Sequence, residues 1–398
     1  MNKSVLIFGA GLNKVSLIKA CNHLGYRSVV IDPNSDPPGK KYASVFEVVD
    51  PFDYDRTKSI AECYQVDGIV TSQMENPLKL MARLAKEKAY IFNSPEVIER
   101  STNKFLMKKV LLRNGISCAK GYLFNNESEF LEVGIKDLFF PLIIKPKDSH
   151  SSRGVFLAED YKSLKNYIPQ SASYSSDGSY IIEEYIEGRE YSIESVTYNG
   201  FTTIIQITEK IVTPFPYNVE LGHIQPAQLS DIERQETENL VIKVISSLGL
   251  DNTVSHAEVK LSKDGPYLIE IGARMGGDFI SSYLTKTSTG VDLDKAAVQL
   301  SIGIEPDLEK KEESYSYISY ITLEKGKRVV SVEPIDDILN NEDVVIAGIF
   351  VSVEDVITEV THSAQRSGYI LVQADCRNDL LQKAAYWSSE LKSRIILS

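Results

Sequence analysis

The stretch YLIEIGARMGGD, Tyr267 to Asp278, ends a strand-like run in a carboxylate, Glu270. A guanidinium, Arg274, follows four residues later, and then the glycines Gly276 and Gly277. A surface hairpin needs none of these in that order. A site that holds a metal and an anion side by side could use all of them. Just upstream, SHAEVKLSKDGPYLIEIG reads as a hairpin with Lys263-Asp264-Gly265 as its turn. Symmetry about Asp264 sets Glu258 opposite Glu270. Directly opposed carboxylates repel, so they face water or a cation lies between them. Two acids with no soft ligand fit Mg²⁺, which keeps several waters and shares phosphate oxygens. Zinc would want nitrogen or sulfur, and only His256 is near. On this alternation His256, Glu258 and Lys260 share a face, as do Leu268 and Glu270, so the face is mixed.

Two further segments carry possible chemistry. In LIIKPKDSHSSRGV, Lys145 ends a buried strand, where an ammonium is costly unless an anion meets it. The loop Ser149-His150-Ser151-Ser152-Arg153-Gly154 could wrap phosphate oxygens with N–H groups, hydroxyls and a positive charge. It is not a Walker A motif, and a serine-rich loop alone is ordinary; His150 reads as a polar loop residue. In IIEEYIEGREYSIE, Glu183-Glu184-Tyr185-Ile186 leads to a Glu187-Gly188-Arg189 turn and Glu190. The alternation suggests antiparallel strands around a turn. As an extended connector, the same residues would offer main-chain groups to an adenine edge, with Glu190 near ribose hydroxyls.

The elements that must position these residues begin with an alternation. SVLIF, RSVVIDP, VFEVVD and DGIVTS are strand-like, and helical spacing over Val15 to Leu24, Arg56 to Tyr64 and Pro77 to Lys88 separates or follows them. That order predicts a parallel sheet covered on both faces. FGAGLNK after the first strand, with Asp32 at a ribose-like distance, suggests a dinucleotide fingerprint, but Lys14 stands where the third glycine belongs. A dehydrogenase is therefore the distant alternative. Two helical segments between Pro95 and Gly115, the second carrying Lys104, precede the β-rich remainder. Short β runs near Ile318, Val329, Val345 and Ile370 and a helix over about Arg377 to Lys392 close the chain, after an exposed linker at DLEKKEES.

With 398 residues, 43% hydrophobic and 25% charged, the chain has material for two to four domains with real cores. A net charge of -12 argues against a nucleic-acid partner. Cys21, Cys63, Cys118 and Cys376 lie far apart and read as buried free thiols in a reducing compartment. The apolar N-terminal run is too short for a signal peptide or membrane span. The expectation is a cytoplasmic protein with no membrane partner.

Taken in order, Lys104, Lys145 with its polar loop, EEYIEGREYS and the Glu258/Glu270 pair resemble the ATP-grasp superfamily over roughly residues 1–300. The resemblance implies mixed α/β and α+β architecture: a Rossmann-like pre-ATP-grasp domain (1–94), two ATP-grasp lobes (95–180 and 181–305) and a small β-rich C-terminal domain (306–398). It implies MgATP, with Mn²⁺ able to substitute, and activation of a carboxylate as an acyl phosphate that an amine or thiol attacks, an amine being the expectation here. Lys104, Lys145, Ser149, Ser151, Ser152, Arg153 and Gly154 would meet the phosphates. Main-chain atoms of Glu183 and Ile186, within Glu183-Glu184-Tyr185-Ile186, would hold adenine, and Glu190 the ribose. Glu258 and Glu270 would hold the metal. Arg274 would grip the substrate carboxylate, with Gly276 and Gly277 letting the backbone approach it. Many members carry Glu-x-Asn at the second metal position; Gly272 stands there instead.

EKIVTPFPYNVELGHIQPAQL, together with GARMGGD, resembles the L-amino-acid ligases. That likeness gives Glu220 an α-ammonium to receive and makes His223 an aid to the nucleophile or the phosphate. Asp278 would favour a cationic or amino-bearing substrate. The partners implied are a small-molecule carboxylate and an amine, both amino acids, and a homodimer is one form the resemblance allows. Other ATP-grasp ligases or carboxylases of purine or small-metabolite biosynthesis, and an ATP-binding protein without catalysis, stay open.

Overall fold

The structure is a computed structural model that describes residues 3–133, 135, 137–149 and 153–398. His150, Ser151 and Ser152 of the polar loop lie outside the described residues.

The first sheet holds β1 (Ser4–Phe8), β2 (Arg27–Asp32), β3 (Val45–Val48) and β4 (Gly68–Thr71), all parallel, in the order β3-β2-β1-β4. All five residues of β1 are buried, as a parallel strand covered on both faces requires. The next sheet is antiparallel: β5 (Gly121–Phe124), β6 (Leu142–Pro146), β7 (Phe156–Ala158) and β8 (Tyr180–Glu184), ordered β5-β8-β6-β7.

The third sheet is the largest. It takes β9 (Arg189–Tyr198), β10 (Phe201–Val212), β11 (Glu220–Gln225), β12 (Thr253–Ser262), β13 (Gly265–Gly272) and β14 (Tyr315–Ile321). With β15 (Val329–Val332), β16 (Val344–Ile349), β17 (Gly368–Ala374) and β18 (Ile395–Leu397) defined, its order is β13-β12-β9-β10-β11-β14-β17-β16, while β15 and β18 pair separately. Three strands after residue 306 thus extend this sheet through β11 and β14.

β8 and β9 belong to different sheets, so EEYIEGREY is an extended connector between sheets, and the antiparallel strands around a turn are β9 and β10, joined at Asn199-Gly200. The long helix Asp231–Leu248 had no counterpart in the sequence reading. Its Ser230/Glu233 capping box and left-handed Gly249 are present in the sequence as a start and a stop. Its apolar face joins the core shared with β12, β13 and the helix Lys104–Arg113.

The cysteines are all free, with Cys21 and Cys118 buried and Cys63 and Cys376 exposed, so only two are buried thiols. Among the described residues no helix is long and apolar enough to cross a membrane.

Candidate active site

The hairpin of β12 and β13 closes through Ser262 and Gly265, leaving a two-residue turn, Lys263-Asp264. Continued in that register, Glu258 would face Ile269. A β-bulge between Glu258 and Val259 shifts the pairing by one residue and sets Glu258 opposite Glu270. The extra residue also resets the pleat. Leu268 and Ile271 both enter the core, while Ile269 and Glu270 both line a cleft of about 430 Å³. The mixed face expected from simple alternation therefore does not exist; Leu268 and Glu270 lie on opposite sides.

The cleft is walled by the second and third sheets and by residues that follow β1 and β4 of the first. Asn103 caps the helix Lys104–Arg113 by accepting from the amides of Phe105 and Leu106, which fixes Lys104 in its first turn. Lys104 Nζ lies 3.1 Å from Glu270 and donates to the Ser149 carbonyl at 2.7 Å. Burial pushes the Lys104 pKa down, but Glu270 and Glu75 outweigh it and the net shift is upward. Lys145 is 2.7 Å from Glu183, which Lys108 also meets at 3.0 Å. There burial dominates and the Lys145 pKa falls.

Burial opposes ionisation of Glu258 and Glu270, but Lys210 and His256 hold Glu258 well below the usual carboxylate range, and Lys104 holds Glu270 below it. Both are therefore carboxylates at neutral pH. Lys210 is the main residue that sequence reasoning missed. Its ammonium is nearly inaccessible and lies 3.1 Å from Glu258, 3.4 Å from Glu220 and 3.9 Å from Glu190. Glu190 also receives Lys260 at 3.2 Å and Asn218 at 3.3 Å. Glu75, from the loop after β4, stands 3.8 Å from Arg274 and also lines the cleft.

Several assignments move. Glu183 lies inside β8, in register with both Gly121 and Ile143, so its main chain sits within the sheet and not at an adenine edge. Its carboxylate instead braces two lysines. Glu184 turns its carboxylate to the Lys120 amide, and its own amide donates to the Lys120 carbonyl. Tyr185 and Ile186 line the cleft, Tyr185 beneath the Lys260 ammonium at 4.6 Å. Arg153 lines it too. Gly154, with φ +76°, packs under Tyr174, where a Cβ would come within 2.8 Å of the ring.

Gly276 has a structural reason of its own. A Cβ there would fall 2.6 Å from both Glu194 and His256, a buried pair that reads as the reason for the glycine. Glu194 also accepts from the Gly276 amide at 3.2 Å and Ser281 at 3.1 Å. Gly277 is open and lines the cleft. Asp278 is no free anion: Arg366 binds it through two 2.8 Å hydrogen bonds and His223 meets it at 3.2 Å. Burial opposes its charge, yet those partners hold its pKa well below the carboxylate range. Asp278 and Phe279 both have positive φ, 52° and 61°, a strained pair of the kind that collects at functional sites.

Gly272, the departure at the second metal position, has a local reason. A Cβ there would lie 3.0 Å from Arg274 Cγ and 3.3 Å from its Nε. The space a side chain would fill is taken by the arginine, whose Nη1 donates to the Met275 carbonyl at 3.1 Å. Among the described residues no group of three or more His, Cys, Asp or Glu side chains is arranged for a metal. Two opposed, ionised carboxylates remain, which suits a Mg²⁺ that draws its other oxygens from water and phosphate.

Residues 138–282 match the family described as ATP-grasp domain. A phosphoribosylaminoimidazole carboxylase from Ogataea methanolica is 28% identical over 175 residues, 43% of this chain and 31% of that protein. Dapdiamide A synthase from Enterobacter agglomerans is 26% identical over 194 residues, 46% of this chain and 45% of that one. The chain spans less than half the length of either relative. The crystal structure of an L-amino acid ligase from Bacillus licheniformis superposes with a TM-score of 0.84 at 21% identity, covering 100% of this chain and 98% of that chain. The fold of the chain is the ATP-grasp fold.

Proposed function

We propose that the protein is an ATP-dependent carboxylate–amine ligase that joins amino acids through an acyl phosphate. The observation that carries the reading is the cleft itself. Ionised Glu258 and Glu270 face each other there, Lys104 and Lys145 flank them, and Arg274 stands at the same wall. ATP would lie against Tyr185 and Ile186 with its phosphates toward Lys104, Lys145 and the Ser149–Gly154 loop. Glu258 and Glu270 would hold Mg²⁺, which neutralises phosphate charge when bound.

Arg274 presents a planar fork suited to a carboxylate and would orient the acid for attack on the γ-phosphorus. A carboxylate oxygen forms the new P–O bond, and ADP leaves. The amine nitrogen then forms the C–N bond as inorganic phosphate departs. His223, which lines the cleft with Nε2 facing Asp278, would be the group to take the amine's proton. Glu220 and Glu75 are the acids that could receive an ammonium. The chemistry needs positioning and charge more than a protein nucleophile.

The test is phosphate release from MgATP with pooled amino acids, coupled to a mass search for a new amide. Amino-acid-dependent phosphate with a matching product mass supports the ligase. Phosphate that depends on bicarbonate and not on an amino acid would move the protein to the carboxylases, the class of one relative.

A further inference from the structure

The glycine turn FGAGLNK has no role in the ligase reading, yet it delivers a side chain into the same cleft. Gly9 has φ +93°, and a Cβ there would come within 2.7 Å of Met74 Sδ. The Lys14 stem runs alongside, its Cγ and Cε each 3.6 Å from where that Cβ would be, at ordinary contact distance. Lys14 is the N-cap residue of the helix Val15–His23, so its charge adds to the positive end of that helix. Its side chain lines the cleft beside Arg274 and Glu75.

Each other lysine of the cleft wall has a carboxylate at ion-pairing distance: Lys104 has Glu270, Lys145 has Glu183, Lys210 has Glu258 and Lys260 has Glu190. Among the described residues Lys14 has none. The nearest acid in charge terms, Asp32, spends its oxygens on the amides of Ala10 at 2.7 Å and Asn34 at 2.9 Å. Burial and the neighbouring Arg274 charge both push the Lys14 pKa down, and Asp32 offsets them only in part. A half-buried ammonium left without a partner is costly unless a ligand supplies the anion.

Resting on the ligase reading, we infer that Lys14 is a specificity residue: the acid substrate carries a second anionic group, a carboxylate or a phosphoryl, that Lys14 receives while Arg274 holds the carboxylate being activated. Lys14 touches the substrate away from the reacting atoms, so it governs choice more than rate.

Matched acids test this with the full chain and MgATP: L-glutamate against L-glutamine, L-aspartate against L-asparagine, and O-phospho-L-serine against L-serine. The wild type should prefer the dianionic member of at least one pair, and which pair wins tells carboxylate from phosphoryl. Lys14→Gln should cut that preference in kcat/KM by about tenfold or more, the scale of one lost charge-assisted contact, chiefly through KM. Lys14→Arg should keep most of it. Preference for the neutral members, or a ratio untouched by Lys14→Gln, overturns the inference and leaves the ligase standing. If no acid releases phosphate, the ligase reading fails. Calorimetry then decides the Lys14 site alone: the dianions bind wild type and not Lys14→Gln, or the inference falls too.

Discussion

Replacing Lys210 by methionine, which keeps the length of the stem and removes the charge, isolates the cluster that ties β10 to β9, β11 and β12. At 3.1 and 3.4 Å the attractions to Glu258 and Glu220 are each about 5 kcal/mol at an effective dielectric near 20, before desolvation is subtracted. The measured loss on breaking a buried pair is smaller, about 3–5 kcal/mol, because burial of the ammonium had its own cost. Glu258 is 28% exposed, which favours the lower end of that range. A loss of about 3 kcal/mol is a large part of the 5–15 kcal/mol a domain usually has, so urea unfolding will resolve it.

The pH dependence separates charge from packing. Glu258 in the wild type has a folded pKa well below its ordinary value, chiefly through Lys210 once burial is overcome. Its contribution is therefore present above the ordinary carboxylate pKa and is lost as pH falls through the folded value. In Lys210→Met burial acts with less opposition and the Glu258 pKa rises. The gap between variant and wild type should be widest near neutral pH, should narrow as pH falls, and should close only well below the ordinary carboxylate pKa, where Glu258 of the wild type also takes up its proton. A loss under about 1 kcal/mol at neutral pH, or one that acid does not shrink, refutes the reasoning.

Glu270→Gln should remove turnover while circular dichroism stays that of wild type, because the carboxylate faces the cleft and not the core, and the melting transition should fall by what the lost Lys104 ion pair contributes; near-normal phosphate release would sink its assignment. Gly272→Asn should lower kcat/KM for the acid by about tenfold, since the new side chain meets Arg274 at a Cβ contact of 3.0 Å. Activity above wild type would mean that a third ligand matters more than the arginine's position. Asp294, fully buried near Lys286 and Asp292, has its pKa pushed up to about 7, first by burial. The sign follows from the raised value: its favourable contribution is full below its unfolded pKa and is lost as pH rises through about 7. Asp294→Asn should therefore be more stable than wild type at pH about 8 by up to about 4 kcal/mol and no more stable at pH about 4; equal melting temperatures at both would refute it.

The parts of the fold legible in the sequence are those that local pattern dictates. Continuous burial of Ser4–Phe8 and its parallel neighbours followed from unbroken apolar runs, and the caps at Asn103 and Ser230 are local too. What was not legible arrives across long separations. Arg366 neutralises Asp278 from 88 residues away, and the carboxylates around Lys210 come from β9, β11 and β12. No window of sequence contains either arrangement. Gly276 shows a different failure. A glycine next to a site reads as room for a ligand, whereas this one makes room for Glu194, a buried acid 82 positions earlier.

The Glu258/Glu270 opposition was reached from the sequence with the wrong turn. Symmetry about Asp264 and the true two-residue turn differ by one residue, and the bulge at Ile269 supplies that residue again. Because strand faces alternate with period two, the bulge decides which side Glu270 takes. Without it Glu270 would follow Leu268 toward the core, where a carboxylate lacking Lys104 would be expensive. With it, Leu268 and Ile271 anchor the strand on one side while Ile269 and Glu270 face the cleft on the other. The same strand then ends in Gly272, whose missing side chain lets Arg274 fold back along the wall that carries Glu270. One inserted residue and one omitted side chain thus set a carboxylate and a guanidinium on one surface within five positions. An asparagine at 272 would add an oxygen and take the arginine's place. On the proposed ligase reading, this strand end favours an anion holder over a third metal ligand.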